Sequence, residues 1–319
     1  MATTEGWFLA GNPENREFNQ GLRRLVHDMI LKGEYYSPVN PEFLEELFFH
    51  IDSDAWKPKF PLIFDIRPPL PTHRNHFICN EVSLDWKRYI PEGYTLHTVD
   101  STLDVDSLLF PGDIRQWASH SLNDQIKRGF GMCLTRGNKV VVWINADCAS
   151  GTDCEIGIIT TLDYRMRGFG ALTAAAAVDN CFSIGYTTVG WHCENHNYGS
   201  IAVAQKVGFV QERDYFHYIC MFDEAVHLAE TAMRHFFDRQ YEEAIDYFER
   251  AFAMKEVSPW FYTLAARAYA VRKERDSVVR YLKKAKSLGW TNWDTVLQSE
   301  QIQSISNHAN LKDLIKQID

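Results

Sequence analysis

Residues 155–177 constrain the fold of this chain more than any other stretch: Glu-Ile-Gly-Ile-Ile-Thr-Thr-Leu-Asp-Tyr-Arg-Met-Arg-Gly-Phe-Gly-Ala-Leu-Thr-Ala-Ala-Ala-Ala. An apolar β-branched run leads into a short loop bearing arginines and glycines, and the loop leads into an alanine-rich helix. A strand feeding a glycine turn that opens a helix is an anion cradle, because the first helical N–H groups lack partners and the helix dipole favours negative charge there. Within Arg165-Met166-Arg167-Gly168-Phe169-Gly170 the glycines allow close backbone approach and the arginines supply planar donors. The three glycines of the dinucleotide fingerprint and the Gly-Lys-Ser/Thr of the nucleoside-triphosphate loop are both missing. Taken alone, the loop is equally readable as a structural turn.

The following segment narrows the choice. A helix over about Leu172–Ser183 precedes Gly185-Tyr-Thr-Thr-Val-Gly-Trp191, which reads as a strand. The polar turn Asn195-His-Asn197-Tyr-Gly-Ser200 offers a helix N-cap, and the helix over 201–207 is closed by Gly208-Phe209. Strand, anion loop, helix, strand, polar turn, helix and Gly-Phe form a specific order. The Arg-x-x-Gly-x-Gly loop, with Asn197 followed eleven residues later by Gly208-Phe209, resembles the acetyl-coenzyme A core of the GNAT acetyltransferase superfamily. Cys154-Glu155-Ile-Gly-Ile, Asp163-Tyr-Arg and Trp191-His-Cys193 are most similar to the zwittermicin-resistance type. The similarity extends upstream to Gly6-Trp-Phe-Leu-Ala-Gly-Asn12 and Ile90-Pro-Glu-Gly-Tyr94, about two thirds of the 319 residues.

Hydrophobic residues make up 45% of the chain and aromatics 13%, enough for the cores of two or three domains. A formal charge of −9 argues against non-specific nucleic-acid binding, which needs a basic face to displace counterions. Seven scattered cysteines with no C-x-x-C argue against both a metal centre and a disulfide framework, so reduced and mostly buried thiols are expected. No signal-type N-terminus and no apolar run of the ~18 residues a membrane span needs are found, which makes a cytoplasmic location the expectation, with no membrane partner.

Along the chain, residues 1–92 read as an α+β subdomain. It comprises a strand over Trp7–Ala10, a helix with Phe18, Leu22, Leu25, Val26 and Met29 on one face, a second helix around Phe43–Phe49, and a short strand over Leu62–Ile66 between prolines. Residues 93–222 read as the transferase domain: a strand over Tyr94–Val99, a helix over Ile114–Arg128, and a hairpin of 130–135 with 139–146 across Arg136-Gly-Asn138 precede the segments above. In residues 223–319, Ala232, His235, Ala244, Phe248 and Ala251 recur 34 positions later as Ala266, Tyr269, Val278, Leu282 and Ala285. That period resembles two tetratricopeptide repeats, with Arg239 and Lys273 where glycine is common. Residues 293–318 would form a closing helical cap, and the repeats would dock on the rest of the chain, bind a protein partner or self-associate. The expected fold is α/β: a GNAT-type mixed, twisted sheet flanked by helices, with the small α+β subdomain before it and the all-α tetratricopeptide-like region after it.

The superfamily resemblance implies that the acetyl thioester of acetyl-CoA is held by backbone pairing to the strand before the loop, at Ile158 and Thr160. It implies too that Arg165, Met166, Arg167, Gly168, Phe169, Gly170 and Ala171 hold its pyrophosphate, and that Asn197 belongs to the cofactor-binding set. Glu155, opening the strand, is the candidate general base, with Glu194 as a second catalytic carboxylate and His192 as a positioning or deprotonating group. An exposed strand-end glutamate and a structural histidine are the respective alternatives. Relatives place the tyrosine acid seven residues after the asparagine, where this chain has Ala204, so Tyr198, Ser200 or water would have to serve. Cys193 lacks an adjacent base, and Tyr215, Phe216, Tyr218 and Trp191 line either an acceptor cleft or the core. The function implied is acetyl-CoA-dependent N-acetyl transfer to a small-molecule primary amine, in an antibiotic or amino-polyol. Two alternatives are a protein or peptide amine presented by the repeats, and a non-catalytic acetyl-CoA-sensing interaction protein.

Overall fold

The structure is a computed structural model and describes residues 2–3, 6–32, 46–112, 114 and 131–305. In chain order its main elements are β1 (Ala2–Thr3), β2 (Gly6–Leu9), α1 (Arg16–Lys32), β3 (Glu46–Ile51), α2 (Phe60–Ile63), β4 (Leu70–Cys79), β5 (Tyr94–Val99), β6 (Gly131–Arg136), β7 (Lys139–Ser150) and β8 (Asp153–Thr160). There follow α3 (Phe169–Ser183), β9 (Thr188–Glu194), α4 (Tyr198–Val207), β10 (Val210–Met221), α5 (Glu224–Phe237), α6 (Tyr241–Met254), α7 (Pro259–Val271), α8 (Arg275–Ser287), α9 (Trp293–Leu297) and α10 (Glu300–Ser304). The chain divides into two compact units, residues 73–216 and residues 1–72 with 217–319.

In the first unit a mixed sheet runs in the order β10 (residues 210–216), β4, β9, β8, β7, β6, β5. The β5–β6, β6–β7, β7–β8 and β4–β9 pairs are antiparallel, and β8–β9 is the parallel pair, its crossover supplied by α3. The expected hairpin of β6 and β7 is present, turning at Gly137 and Asn138. Alternation along the strands sorts side chains between two faces. Phe77, Cys154, Ile156, Trp191 and Cys193 bury against the alanines of α3 and against Ala204 and Val207 of α4. Short side chains let α3 lie close to the sheet. Helix α3 begins at Phe169 rather than Leu172, and β9 starts at Thr188 rather than Gly185 and runs on to Glu194.

The second unit contains the strand order β1-β2-β3-β10 (residues 217–221), with β2–β3 parallel and β3–β10 antiparallel. Two expectations fail here. The segment read as a helix around 43–49 is strand over 46–51, because Leu47 and Phe49 alternate into the core and β10 offers a ladder partner; residues 43–45 lie outside the described residues. Leu62–Ile66 is not a strand: Phe60–Ile63 is a helical turn with Pro61 near its start, where a missing N–H costs nothing, and it drives Ile63 and Phe64 under Phe49. The buried stripe of α1 is Leu22, Val26, Met29 and Ile30, whereas Phe18 and Leu25 are half exposed. The Ile114–Arg128 helix lies, beyond Ile114, outside the described residues, as does the cap after residue 305.

Helices α5 to α8 form a helical region around one core that includes Ala232, Ala244, Phe248, Ala251, Ala266, Val278, Leu282 and Ala285. Arg239 and Lys273, 34 residues apart, both take left-handed φ values of 62° and 61°. Each sits in the same closing turn, with Gln240 N–H donating to His235 O and Glu274 N–H to Tyr269 O. All seven cysteines are free, and six are buried. Among the described residues no helix is long and apolar enough to cross a membrane.

Candidate active site

The loop after β8 opens onto the N-terminus of α3. Gly168 caps α3 at φ +84°, a left-handed conformation that an L side chain resists, and provides no side chain to cap the helix. The first-turn amides of Phe169, Gly170 and Ala171 therefore open the N-terminus of a fifteen-residue helix. A Cβ on Gly170 would lie 3.3 Å from Thr160 Oγ1, so glycine keeps the helix end against β8. Met166 has φ 61° and is 100% exposed. Arg165 Nε donates to Thr160 O at 2.9 Å, and Arg167 lies 5.5 Å over the Tyr164 ring. The Phe169 side chain is buried 4.6 Å from the Tyr94 ring, and Ala171 is buried too, so these two can offer a ligand only their backbone. This donor set of helix amides and exposed guanidiniums fits a pyrophosphate.

The sheet parts beside this loop. Among the described residues the β8–β9 ladder runs through Asp153–Thr188, Cys154–Val189 and Glu155–Gly190 and stops there. On its other side β8 stays paired with β7 as far as Thr160. Ile158 and Thr160 thus lie on the stretch of β8 whose β9 side is unladdered, between Glu155 and the anion loop.

Glu155 sits at the mouth of this split, on the face opposite α3. Its Oε2 is 3.5 Å from His192 Nε2 and accepts from Cys148 Sγ at 3.7 Å. His192 Nδ1 lies 2.6 Å from the Tyr215 hydroxyl. The His192 ring stacks on His76, its cross-strand partner, with centroids 4.1 Å apart. His76 Nδ1 is in turn 2.9 Å from Glu212 Oε2. Burial holds the His76 imidazole below its ordinary value, against the opposing pull of Glu212. Sequence reasoning reached Glu155 and His192 but missed His76 and Glu212, and it gave Tyr215 no partner. Strand pairing joins His76 to residues more than a hundred positions away, His192 and Glu212.

Of the other expected residues, Asn197 is the N-cap of α4, its Oδ1 accepting from Ser200 N–H at 3.1 Å. Glu194 stands two residues beyond His192 on β9 and pairs with His196 at 2.9 Å. Ser200 Oγ accepts from Trp191 Nε1 at 2.9 Å, while Tyr198 is 75% exposed. Ala204 is fully buried. Burial pushes the Cys193 thiol up, away from a nucleophilic thiolate.

The chain is similar to known proteins over its first two thirds. The family profile described as GNAT acetyltransferase matches residues 3–218. YdfB of Bacillus subtilis (strain 168), an uncharacterized N-acetyltransferase, is 27% identical over 213 residues, 66% of this chain and 76% of that protein. Among solved structures, a GCN5-related N-acetyltransferase-like protein from Streptococcus suis 89/1591 gives a TM-score of 0.47 at 19% identity, covering 67% of this chain and 78% of that one. A GNAT-family acetyltransferase from Colwellia psychrerythraea gives 0.37 at 14% identity, covering 67% and 77%. The profile match takes in the anion loop, the parted strands and the Glu155 cluster together, and the chain belongs to the GNAT acetyltransferase family.

Proposed function

We propose that the chain transfers the acetyl group of acetyl-CoA to the primary amine of a small molecule. One observation carries this reading: strand β8 ends its ladder with β9 at Glu155 and runs on into the Gly168 helix cap, so one strand links a carboxylate, an open backbone edge and an anion cradle. Acetyl-CoA would supply the activated thioester. The amides of Phe169, Gly170 and Ala171 and the guanidiniums of Arg165 and Arg167 would hold its pyrophosphate, and Ile158 and Thr160 would align its amide-bearing arm. Glu155 would take up the proton lost by the amine. A carboxylate-rich acceptor side, with Glu155 and Glu212, suits a cationic amine. The sequence resemblance to zwittermicin-resistance enzymes favours an amino-polyol acceptor, whose cation acetylation would remove. The 34-residue recurrence, repeated in the turns at Arg239 and Lys273, supports a tetratricopeptide-like assignment for residues 223–319.

The test is release of coenzyme A thiol from acetyl-CoA with a panel of amino-polyols, simple amines and peptides. Turnover is expected with small amines, and the Glu155→Gln variant should lose about 100-fold in kcat, the lower range for general acid–base groups. Acetylation confined to peptides would replace the small-molecule reading, and tight acetyl-CoA binding without any acetylation would replace transfer by sensing.

A further inference from the structure

Resting on that reading, we infer that Arg136 and Lys139, at the end of the β6–β7 hairpin, bind the 3′-phosphate on the ribose of acetyl-CoA and make the chain selective for coenzyme A over its 3′-dephospho form. The two residues are cross-strand partners on either side of the turn at Gly137 and Asn138, so their side chains leave the same face of the hairpin. Like charges directly opposite one another on a ladder cost stability. Among the described residues no carboxylate pairs with either cation, or with Arg165 or Arg167 of the neighbouring loop. Asp163, exposed in that loop, joins no ion pair with them. In a chain with 42 acidic and 33 basic side chains, neighbouring cations left without an acidic partner need an anion from outside.

Ring contacts place these cations beside the N-terminus of α3. Lys139 Nζ lies 5.4 Å over the Tyr164 ring, and the Arg167 guanidinium lies 5.5 Å from the same ring. The Arg136 guanidinium lies 5.8 Å over the Tyr94 ring. Tyr94 meets Tyr164 edge-on at 6.5 Å and lies 4.6 Å from Phe169, the first residue of α3. The hairpin end is braced from two sides, where Val140 N–H donates to Leu109 O at 3.0 Å and Thr161 N–H, from the loop, donates to Val141 O at 2.9 Å. Braced backbone and aromatic faces hold the cations in place before any ligand arrives.

The chemistry of coenzyme A supplies the matching anion. Its ribose carries the pyrophosphate on the 5′ carbon and a phosphomonoester on the 3′ carbon, so a second anion emerges next to the first. The amides of Phe169, Gly170 and Ala171 suit the pyrophosphate, and Arg136 is joined to them through the Phe169–Tyr94 contact. A phosphomonoester carries about −1.5 to −2 charges at neutral pH, enough to offset two cations. Arg136 offers it a planar fork and Lys139 a point charge, and the repulsion between the two is relieved when it binds.

Calorimetric titration of the full chain with coenzyme A and with 3′-dephospho-coenzyme A tests the assignment. The parent is expected to bind coenzyme A about tenfold more tightly, the worth of one charge-assisted contact. Arg136→Ala combined with Lys139→Ala should bring the two affinities within about twofold of each other, because deleting the phosphate and deleting its partners remove the same contact. Lys139→Gln alone, which keeps a polar stem beside Tyr164, should lose part of the preference, and Lys139→Arg, which keeps the charge, should retain it. Added salt should shrink the preference of the parent. The inference is overturned if the parent binds both ligands equally, or if the double variant weakens both by the same factor. Those outcomes leave acetyl transfer standing, whereas a parent chain that binds neither ligand removes the transfer reading and this inference together.

Discussion

At the residue scale, Ala204 is a packing position. It stands seven residues after Asn197, its side chain is fully buried and its carbonyl accepts from the N–H groups of Gly208 and Phe209. A tyrosine introduced there would have to displace the core packed around Ala204. Ala204→Tyr is therefore expected to lower stability by about 1–3 kcal/mol through overpacking and to leave turnover no higher, measured by urea unfolding and the thiol-release assay. The Tyr215 hydroxyl, on a different element, lies against His192 of the Glu155 cluster. The local sequence Arg213-Asp-Tyr-Phe-His217 marks it only as one of several aromatics for a cleft or a core. Glu155 could be singled out in the sequence because it begins an apolar strand beside a recognisable loop, while His76 and Glu212 stand in polar runs that look like any solvated strand.

At the element scale, glycine positions separate local from tertiary causes. Gly208 has φ +117°, and a Cβ on it would come within 2.9 Å of Glu81 O and 3.0 Å of Ser83 N, both backbone atoms that cannot yield cheaply. Gly185 has a similar φ of +106° with nothing within 4 Å. Gly185→Ala should therefore cost only the left-handed backbone term, about 1 kcal/mol, and Gly208→Ala at least about 2 kcal/mol, compared by urea unfolding. The sequence identifies Gly208 as a helix stop, and the structure adds that it is a docking point for the 81–83 segment, whose Ser83 N–H donates to Val207 O at 2.8 Å. The hairpin of β6 and β7 and the cradle at Gly168 were legible because their signals span a few residues. The strand over 46–51 and the turn over 60–63 were not, since Leu-Phe-Phe and Leu-Ile-Phe satisfy either period and the partner decides.

At the scale of the whole molecule, stability should depend on pH through His227. It is buried, it faces Arg67 and Arg234, and burial first, then those two guanidiniums, hold its imidazole down at about 4. Arg67 donates from Nη1 to Met221 O and Phe222 O, and Arg234 from Nε to Pro71 O, so neither cation can move away. An unfolded histidine titrates near 6.5, so between about pH 6.5 and 4 the unfolded chain binds the extra proton and the folded chain does not. Stability conferred by the neutral ring is present above that window and is lost as pH falls through it. Denaturant unfolding should show a loss of about 2 kcal/mol from this group between pH 7 and pH 5, and His227→Asn should flatten that slope. His76 and His97, both lowered by burial, add in the same direction.

The sequence by itself determined the alternation of strand and helix from Glu155 to Phe209, the glycine-capped anion loop and the 34-residue period of the helical region. Each is set by side-chain periodicity, φ restriction or capping within a few turns of chain. Tertiary structure alone decided that the β8–β9 ladder stops at Glu155, that Phe49 lies on a strand, and that His192 meets Glu155, Tyr215 and His76. Those outcomes depend on which strands pair and in which register. Register is fixed by burial and hydrogen bonding between segments far apart in sequence, and that information is carried by no single segment.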